Sequence, residues 1–238
     1  MNTIIVIPAR GGSKRVFRKN MAKVQGVSLL EWAVAAARGL SHWLVVSSDD
    51  QAILDEGARL GTLRFVRQPG HAEHWSGDLP IAQQVVTALS GDDDDLLVWL
   101  RPTAPFRTSE NVQEVIEFMN VNRDVDSVRS VMKSTEHPLK SYRVVGELHD
   151  QPWLAPWLPS EHRANHPDQY LPASYRPVGW IDAVRLRCIR AGSMEGFTIV
   201  AWPVPGPDDR SLDINTEEDL ERAHDVAGRR RWRPGVCE

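Results

Sequence analysis

The densest chemistry in the sequence lies near its start, in Pro8-Ala9-Arg10-Gly11-Gly12-Ser13-Lys14-Arg15, followed by Lys19-Asn20. Two adjacent glycines let the backbone turn its N–H groups toward one ligand, which makes a concave anion site. Arg10, Lys14 and Lys19 add charges suited to the β- and γ-phosphates of a nucleotide. A Gly-Gly pair alone would mean no more than a tight turn with surface charges around it. The concentration of basic residues on one loop, in a chain of formal charge −4, favours phosphate. The segment matches neither GxxxxGK[ST] nor GxGxxG, so ATPase and dehydrogenase chemistry lose support.

Asp213 is the candidate metal ligand. It follows the last expected strand and precedes a helix, and Mg²⁺ favours one or two carboxylates completed by phosphate oxygens and water. In Arg101-Pro102-Thr103-Ala104-Pro105-Phe106-Arg107 the prolines fix a rigid turn. Arg101 there offers a planar fork for a carboxylate or phosphate, or pairs with an acidic neighbour. The run of aspartates at 92–95 reads as a solvated loop. Asp49 and Asp50 either face the cleft or cap the next helix. His71, His74, His137, His162 and His166 lack ligand spacing, so none is assigned to a metal. Cys188 and Cys237 suggest neither zinc nor a disulfide, and read as a buried small hydrophobe and a tail residue.

These residues need a frame to hold them. The apolar run 4–7 suits a strand covered on both faces, entering the glycine turn directly. Ser28 followed by Glu31 reads as a capping box for a helix over 29–40. The alternation continues with strand 43–47, helix 51–60, strand 64–67, helix 79–89, strand 96–101, helix 109–122, strand 198–203 and helix 216–227. Strands alternating with helices imply an α/β fold with right-handed crossovers and a mainly parallel, Rossmann-like sheet carrying helices on both faces. Its ligand site lies beyond the carboxyl ends of the strands, where 8–13 and 101–107 both fall. One domain over 1–228 is expected, with a flexible tail over 229–238. Regular periodicity fails between about 132 and 179. Trp153, Trp157, Tyr170, Tyr175 and Trp180 are too many aromatics for a solvated loop, so 133–187 reads as an extension packed against a second subunit.

The pieces IPARGGSKR with Lys19-Asn20, VVSSDD, RPTAPFRT, HPLK, YRPVG and SLDINTEEDL resemble, in order and spacing, the acylneuraminate cytidylyltransferases and their nucleotide-sugar synthetase relatives. The resemblance implies a nucleotide-diphospho-sugar transferase type of fold, dimerisation through the extension, and transfer of CMP from CTP to a sugar acid with release of pyrophosphate. By position, Arg10, Ser13 and Lys19 would hold the triphosphate with Asn20 beside them, within a loop formed by Ala9, Gly11, Gly12 and Lys14. Arg67 would approach the phosphates and Asp78 the nucleotide, unless the two form surface ion pairs. Arg101, Thr103, Tyr175 and Gly179 would shape the acceptor pocket.

Three positions depart from the family pattern. Asn215 stands where a second aspartate is common, and either joins Asp213 at the metal or caps the following helix with Glu218. Arg101 replaces a glutamine of sialate-specific relatives, which opens a second reading as a guanylyltransferase forming a GDP-sugar from a sugar 1-phosphate. Phe17 replaces a frequent proline, with no chemical consequence drawn. Asn215 also motivates a reading of another class, a nucleotide-binding protein without catalysis.

At 238 residues with ordinary apolar and charged fractions, the chain can close one large core. Its mild negative charge argues against nucleic acid as a partner. No apolar run is long enough for a membrane span. The opening residues lack a basic leader and a cleavage region, so a cytoplasmic location is expected.

Overall fold

Ile4, Ile5, Val6 and Ile7 are each no more than 2% exposed, because they occupy the middle of a sheet. They belong to β1 (Thr3–Pro8), which pairs in parallel with β4 (Trp43–Ser48) on one side and β6 (Leu96–Trp99) on the other. The structure is a computed structural model that describes residues 1–68, 70, 77–158, 167–206 and 208–235.

Between β1 and β4 run a short ribbon, β2 (Lys23–Val24) with β3 (Val27–Ser28), and helix α1 (Leu29–Ala37). The Ser28 hydroxyl caps α1, accepting the Glu31 N–H at 3.1 Å. After β4 come α2 (Gln51–Arg59), β5 (Leu63–Val66), α3 (Asp78–Leu89), β6 and α4 (Ser109–Val121). Asp50 caps α2, and Thr108 caps α4 in a reciprocal box with Asn111. The remaining sheet strands are β7 (Ser127–Lys133), β10 (Tyr175–Arg185) and β11 (Ile199–Pro203). A β8–β9 hairpin (Tyr142–Leu148 and Gln151–Pro156) lies between β7 and β10 in sequence, and α5 (Leu186–Arg190) and α6 (Glu217–Arg230) complete the fold.

The seven-stranded sheet has the order β11-β7-β10-β6-β1-β4-β5. It is mainly parallel around β1, while β10 runs antiparallel to β6. Ile4 and Val6 of β1 pack with Leu97, Trp99, Val85 and Ile189 in a core that involves α3 and α5. A second core joins Trp32, Phe106, Ile214, Val226 and Trp232, tying the 101–107 turn to α6.

Residues 1–130 with 178–238 form one compact unit, and 131–177 form another. Within the second unit, the hairpin turns at His149 and Asp150, with φ of 53° and 59°. That is the two-residue left-handed turn whose twist suits a hairpin. Tyr142, Val144, Trp153, Leu154, Trp157, Tyr170 and Tyr175 are all exposed.

Two sequence readings need correction. The stretch from about 132 to 179 is not irregular throughout, because it holds the β8–β9 hairpin and the start of β10, and of the extension over 133–187 the residues from Val178 on belong to the main unit. Periodicity missed β10 because Asp182 and Arg185 interrupt its apolar pattern while being buried. The expected loose tail is packed as far as Gly235. Trp232 is 5% exposed against Phe106, and the Gly235 carbonyl accepts the Ser109 N–H at 3.1 Å.

His71, His74, His162, His166 and Cys237 lie outside the described residues. His137 caps a short 3-10 turn in the second unit, and Cys188 is a buried free thiol. Among the described residues no group of three or more His, Cys, Asp or Glu could hold a metal, and no helix is long and apolar enough to cross a membrane.

Candidate active site

The carboxyl ends of β1, β5 and β6 open onto a cleft of about 320 Å³ in the main unit. Pro8, Arg10, Lys19 and Asn20 form one wall, Asp213 and Asn215 another, and Arg67, Asp78, Arg101 and Thr103 the rest. Loops from the start, middle and end of the chain therefore meet at one place, as expected for the carboxyl edge of such a sheet.

The glycine loop is held by side chains rather than left open. The Gly11 N–H donates to Asp49 Oδ1 at 2.8 Å, and the Ser13 N–H donates to the Gly11 carbonyl at 2.9 Å. Those two amides are committed, so an anion at this loop would meet mainly side chains. Gly11 is required sterically: a Cβ there would lie 2.6 Å from Asp50 Cβ. Buried Asn20 donates to the Arg10 carbonyl at 2.8 Å and so fixes the turn rather than reaching outward. Arg10 is exposed and lines the cleft; Gly12 and Lys14 are exposed, Ser13 is half-buried, and Ala9 is buried behind the loop.

Lys19 opens a short 3-10 turn and crosses to the C-terminal wall. Its ammonium donates to the Ile214 carbonyl at 2.8 Å and to Asn215 Oδ1 at 3.1 Å. Burial lowers its pKa, against the opposing pull of Asp213. Arg67 is buried and donates to the carbonyl and hydroxyl of Ser47 at 3.1 and 3.3 Å. Burial lowers its pKa too.

Asn215 is not the helix cap. Thr216 caps α6 in a reciprocal box with Asp219, which places Asp219 rather than Glu218 at the third helical position. Instead, Asn215 Nδ2 donates to Asp213 Oδ2 at 2.7 Å, while its Oδ1 accepts from Lys19 and from Arg15 at 3.3 Å. The amide oxygen thus faces two cations and the amide NH₂ faces the carboxylate. Asp213 is exposed and supplies one hard oxygen donor beside the cationic loop. That fits a magnesium ion whose other ligands are phosphate oxygens and water.

Arg101 pairs with Asp78 and, at 3.0 Å, with Asp182. Burial works against its charge, but the two carboxylates together raise its pKa. Gly179, at φ +61°, packs beside its guanidinium, and Thr103, between Pro102 and Pro105, accepts the Ile214 N–H on its carbonyl at 2.8 Å. Tyr175 opens β10 in the second unit with an exposed side chain.

Sequence reasoning missed Asp182, Arg107 and the Asp49–Gly11 contact. Arg107 is fully buried and donates to the Trp180 and Arg101 carbonyls, both at 2.7 Å, which braces the turn. Burial pulls its pKa down to about 9, with the like charge of Arg101 adding to the effect. The signal for Asp182 was available: it is a lone carboxylate inside the apolar run around Trp180 to Val184.

A family model described as cytidylyltransferase matches residues 4–164, more than half of the 238 residues. The chain belongs to that family. Among curated members, the pseudaminic acid cytidylyltransferase of Campylobacter jejuni is 29% identical over 122 residues, covering 49% of this chain and 53% of that protein. The CMP-N,N'-diacetyllegionaminic acid synthase of Legionella pneumophila is 30% identical over 126 residues, covering 51% of this chain and 54% of that protein. The chain thus spans about half the length of these cytidylyltransferase relatives. The solved CMP:2-keto-3-deoxy-manno-octonic acid synthetase complexed with CTP shares the fold, with a TM-score of 0.66 at 17% identity over 96% of this chain and 99% of that one. A cytidylyltransferase from Leptospira borgpetersenii superposes with a TM-score of 0.63 at 13% identity, covering 100% and 90%. The nucleotide-diphospho-sugar transferase fold expected from the sequence is therefore the one observed.

Proposed function

We propose that this protein transfers CMP from CTP to a sugar acid of the pseudaminic or legionaminic type and releases pyrophosphate. The observation that carries the reading is the meeting of Arg10, Lys19 and Asp213 in one cleft of a cytidylyltransferase-family chain. The curated relatives are named for nonulosonic acid acceptors, which supports the acceptor class.

The reaction is an in-line displacement in which an acceptor hydroxyl attacks the α-phosphorus and pyrophosphate leaves. Such chemistry depends on positioning and on neutralising charge as it develops. Arg10, Lys14 and Lys19 neutralise the departing pyrophosphate, with Ser13 beside them. Arg67, fixed on Ser47, adds charge from the sheet edge. Asp213 would hold Mg²⁺, which when bound supplies charge stabilisation to the phosphate oxygens. Asn215 holds Asp213 and Lys19 in register and is not itself a ligand in this reading. Thr103, Gly179 and Arg101 form the acceptor end. A second copy of the chain, covering the exposed aromatics of 131–177 and bringing Tyr175 into use, completes the assembly as a homodimer. The compartment proposed is the cytoplasm.

The second reading, a GDP-sugar formed from a sugar 1-phosphate, rests on Arg101 at the cleft, whose guanidinium suits a phosphate as well as a carboxylate. The test is a matrix of CTP, GTP, UTP and ATP against pseudaminic, legionaminic, N-acetylneuraminic and 2-keto-3-deoxy-octonic acids and several sugar 1-phosphates, with Mg²⁺. Mass spectrometry should find a CMP-linked acid, with stoichiometric pyrophosphate. A GDP-sugar would overturn the choice of nucleotide, and nucleotide binding without pyrophosphate would make the protein a binder only.

A further inference from the structure

The two carboxylates on Arg101 are not equivalent. Asp182 is 7% exposed at its side chain and stands on β10, opposite Trp99 of β6. Its Oδ1 accepts the N–H and the hydroxyl of Ser130 at 3.2 and 3.3 Å, and Arg129 lies 3.6 Å away. Asp78 is 37% exposed and is the first residue of α3, at the cleft wall. Separating Arg101 from Asp182 would leave a buried carboxylate short of a partner, whereas Asp78 has water available on release. Gly179 makes the arrangement sterically possible, because a Cβ there would lie 2.9 Å from Arg101 Nη1. The edge of the guanidinium bound to Asp182 is thus fixed by burial and backbone shape. The edge bound to Asp78 faces the space where ligands enter.

A guanidinium receives carboxylates and phosphates through two parallel N–H bonds, and this one has no spare edge while both aspartates hold it. We propose that Arg101 is a latch at the acceptor end of the cleft: Asp182 is the positioning residue that holds it, and Asp78 is the exchangeable partner that an acceptor's oxyanion displaces. The proposal rests on reading this cleft as the nucleotide and acceptor site. Asp78 then sets selectivity, because an acceptor lacking an anionic group has nothing to exchange for it and leaves the latch closed.

Calorimetric titration of the full chain tests this, with N-acetylneuraminate as the carboxylate probe and glucose 1-phosphate as the phosphate probe. Asp78→Asn should tighten binding of at least one probe about tenfold, since it removes the competing carboxylate. The same change made in an Arg101→Gln background should give no gain. Which probe responds tells carboxylate from phosphate. No gain with either probe, or an equal gain without Arg101, overturns the latch. Asp182→Asn should weaken the responding probe about tenfold while CTP binding shifts less than about twofold. Gly179→Ala presses a methyl group on the guanidinium without removing a buried charge, so it stands in should Asp182→Asn fail to fold. Equal losses for CTP and the probe would reduce Asp182 to a structural residue. CTP titrated into the wild-type protein is read separately: no CTP uptake sinks the proposed function, while the anion titrations still decide the latch.

Discussion

Lys19 and Asn215 are 196 positions apart in the chain and meet at 3.1 Å. The contact places an ammonium from the first loop on the same amide that holds Asp213. It makes the cationic and acidic walls of the cleft one connected structure.

Lys19→Met should therefore weaken CTP binding by at least about tenfold, the loss of one charge-assisted contact. Burial already lowers the Lys19 pKa, and a triphosphate beside it would raise that pKa again. In alkaline buffer, below the free-lysine value of about 10.4, CTP binding should take up a proton. Calorimetry in buffers of differing ionisation enthalpy measures this uptake. The uptake should vanish in the variant, and an unchanged uptake would assign the proton to another group.

Asp126 should contribute to acid stability. The N–H groups of Phe197 and Thr198 donate to it at 2.9 and 3.1 Å, and Arg187 pairs with it at 2.9 Å, bringing its pKa to about 2 from 3.8. A carboxylate with a depressed folded pKa stabilises the protein fully above its unfolded value. That stability is lost as pH falls from about 4 through about 2. Asp126→Asn should cost about 2 kcal/mol at neutral pH and flatten the acid limb of the stability curve. Urea unfolding at a series of pH values checks both.

Arg107→Met should cost about 1 to 3 kcal/mol, because the buried Trp180 carbonyl loses this donor, while the Arg101 carbonyl is left with the Ala104 N–H alone. Lysine should not rescue it, since one ammonium cannot reproduce the fork. The guanidinium keeps its proton at neutral pH despite its burial. Denaturant unfolding gives the cost, and CTP titration of the surviving fold shows how far the 101–107 turn depends on this brace.

Trp232→Ala should lower Tm by roughly 10 °C, the consequence of emptying a large aromatic site in a chain of this size. Trp232 packs on Phe106 with ring centroids 5.4 Å apart. Calorimetric melting decides: a shift of only a degree or two would mean that the C-terminal residues add nothing to the core.

Most of the alternating elements from β1 to α4 were legible because β1, β4 and β6 bury apolar runs, and α1, α2 and α4 begin at the side-chain caps Ser28, Asp50 and Thr108. The 8–20 loop was legible for a related reason, its glycines and charges being too concentrated for an ordinary turn. β7 and β10 were not, because both carry polar residues inward. Ser130 and Asp182 satisfy each other across these two strands, and neither has a periodic signature. The pairing of Arg101 was hidden in the same way, since one of its partners comes from 81 positions later. Asn215 looked like a cap because its residue type and place before a helix allow it, and only the geometry shows that Thr216 takes that role.

The best-matched stretch, residues 4–164, holds the glycine loop, Arg67, Asp78 and Arg101, but not Gly179, Asp182, Asp213, Asn215 or Trp232. A fragment cut to that stretch would carry most of the recognisable signature and still lack a wall of its own binding cleft. Under the proposed function, nucleotide uptake would accordingly report that residues near positions 10 and 213 have come together, and it would detect cleavage between them.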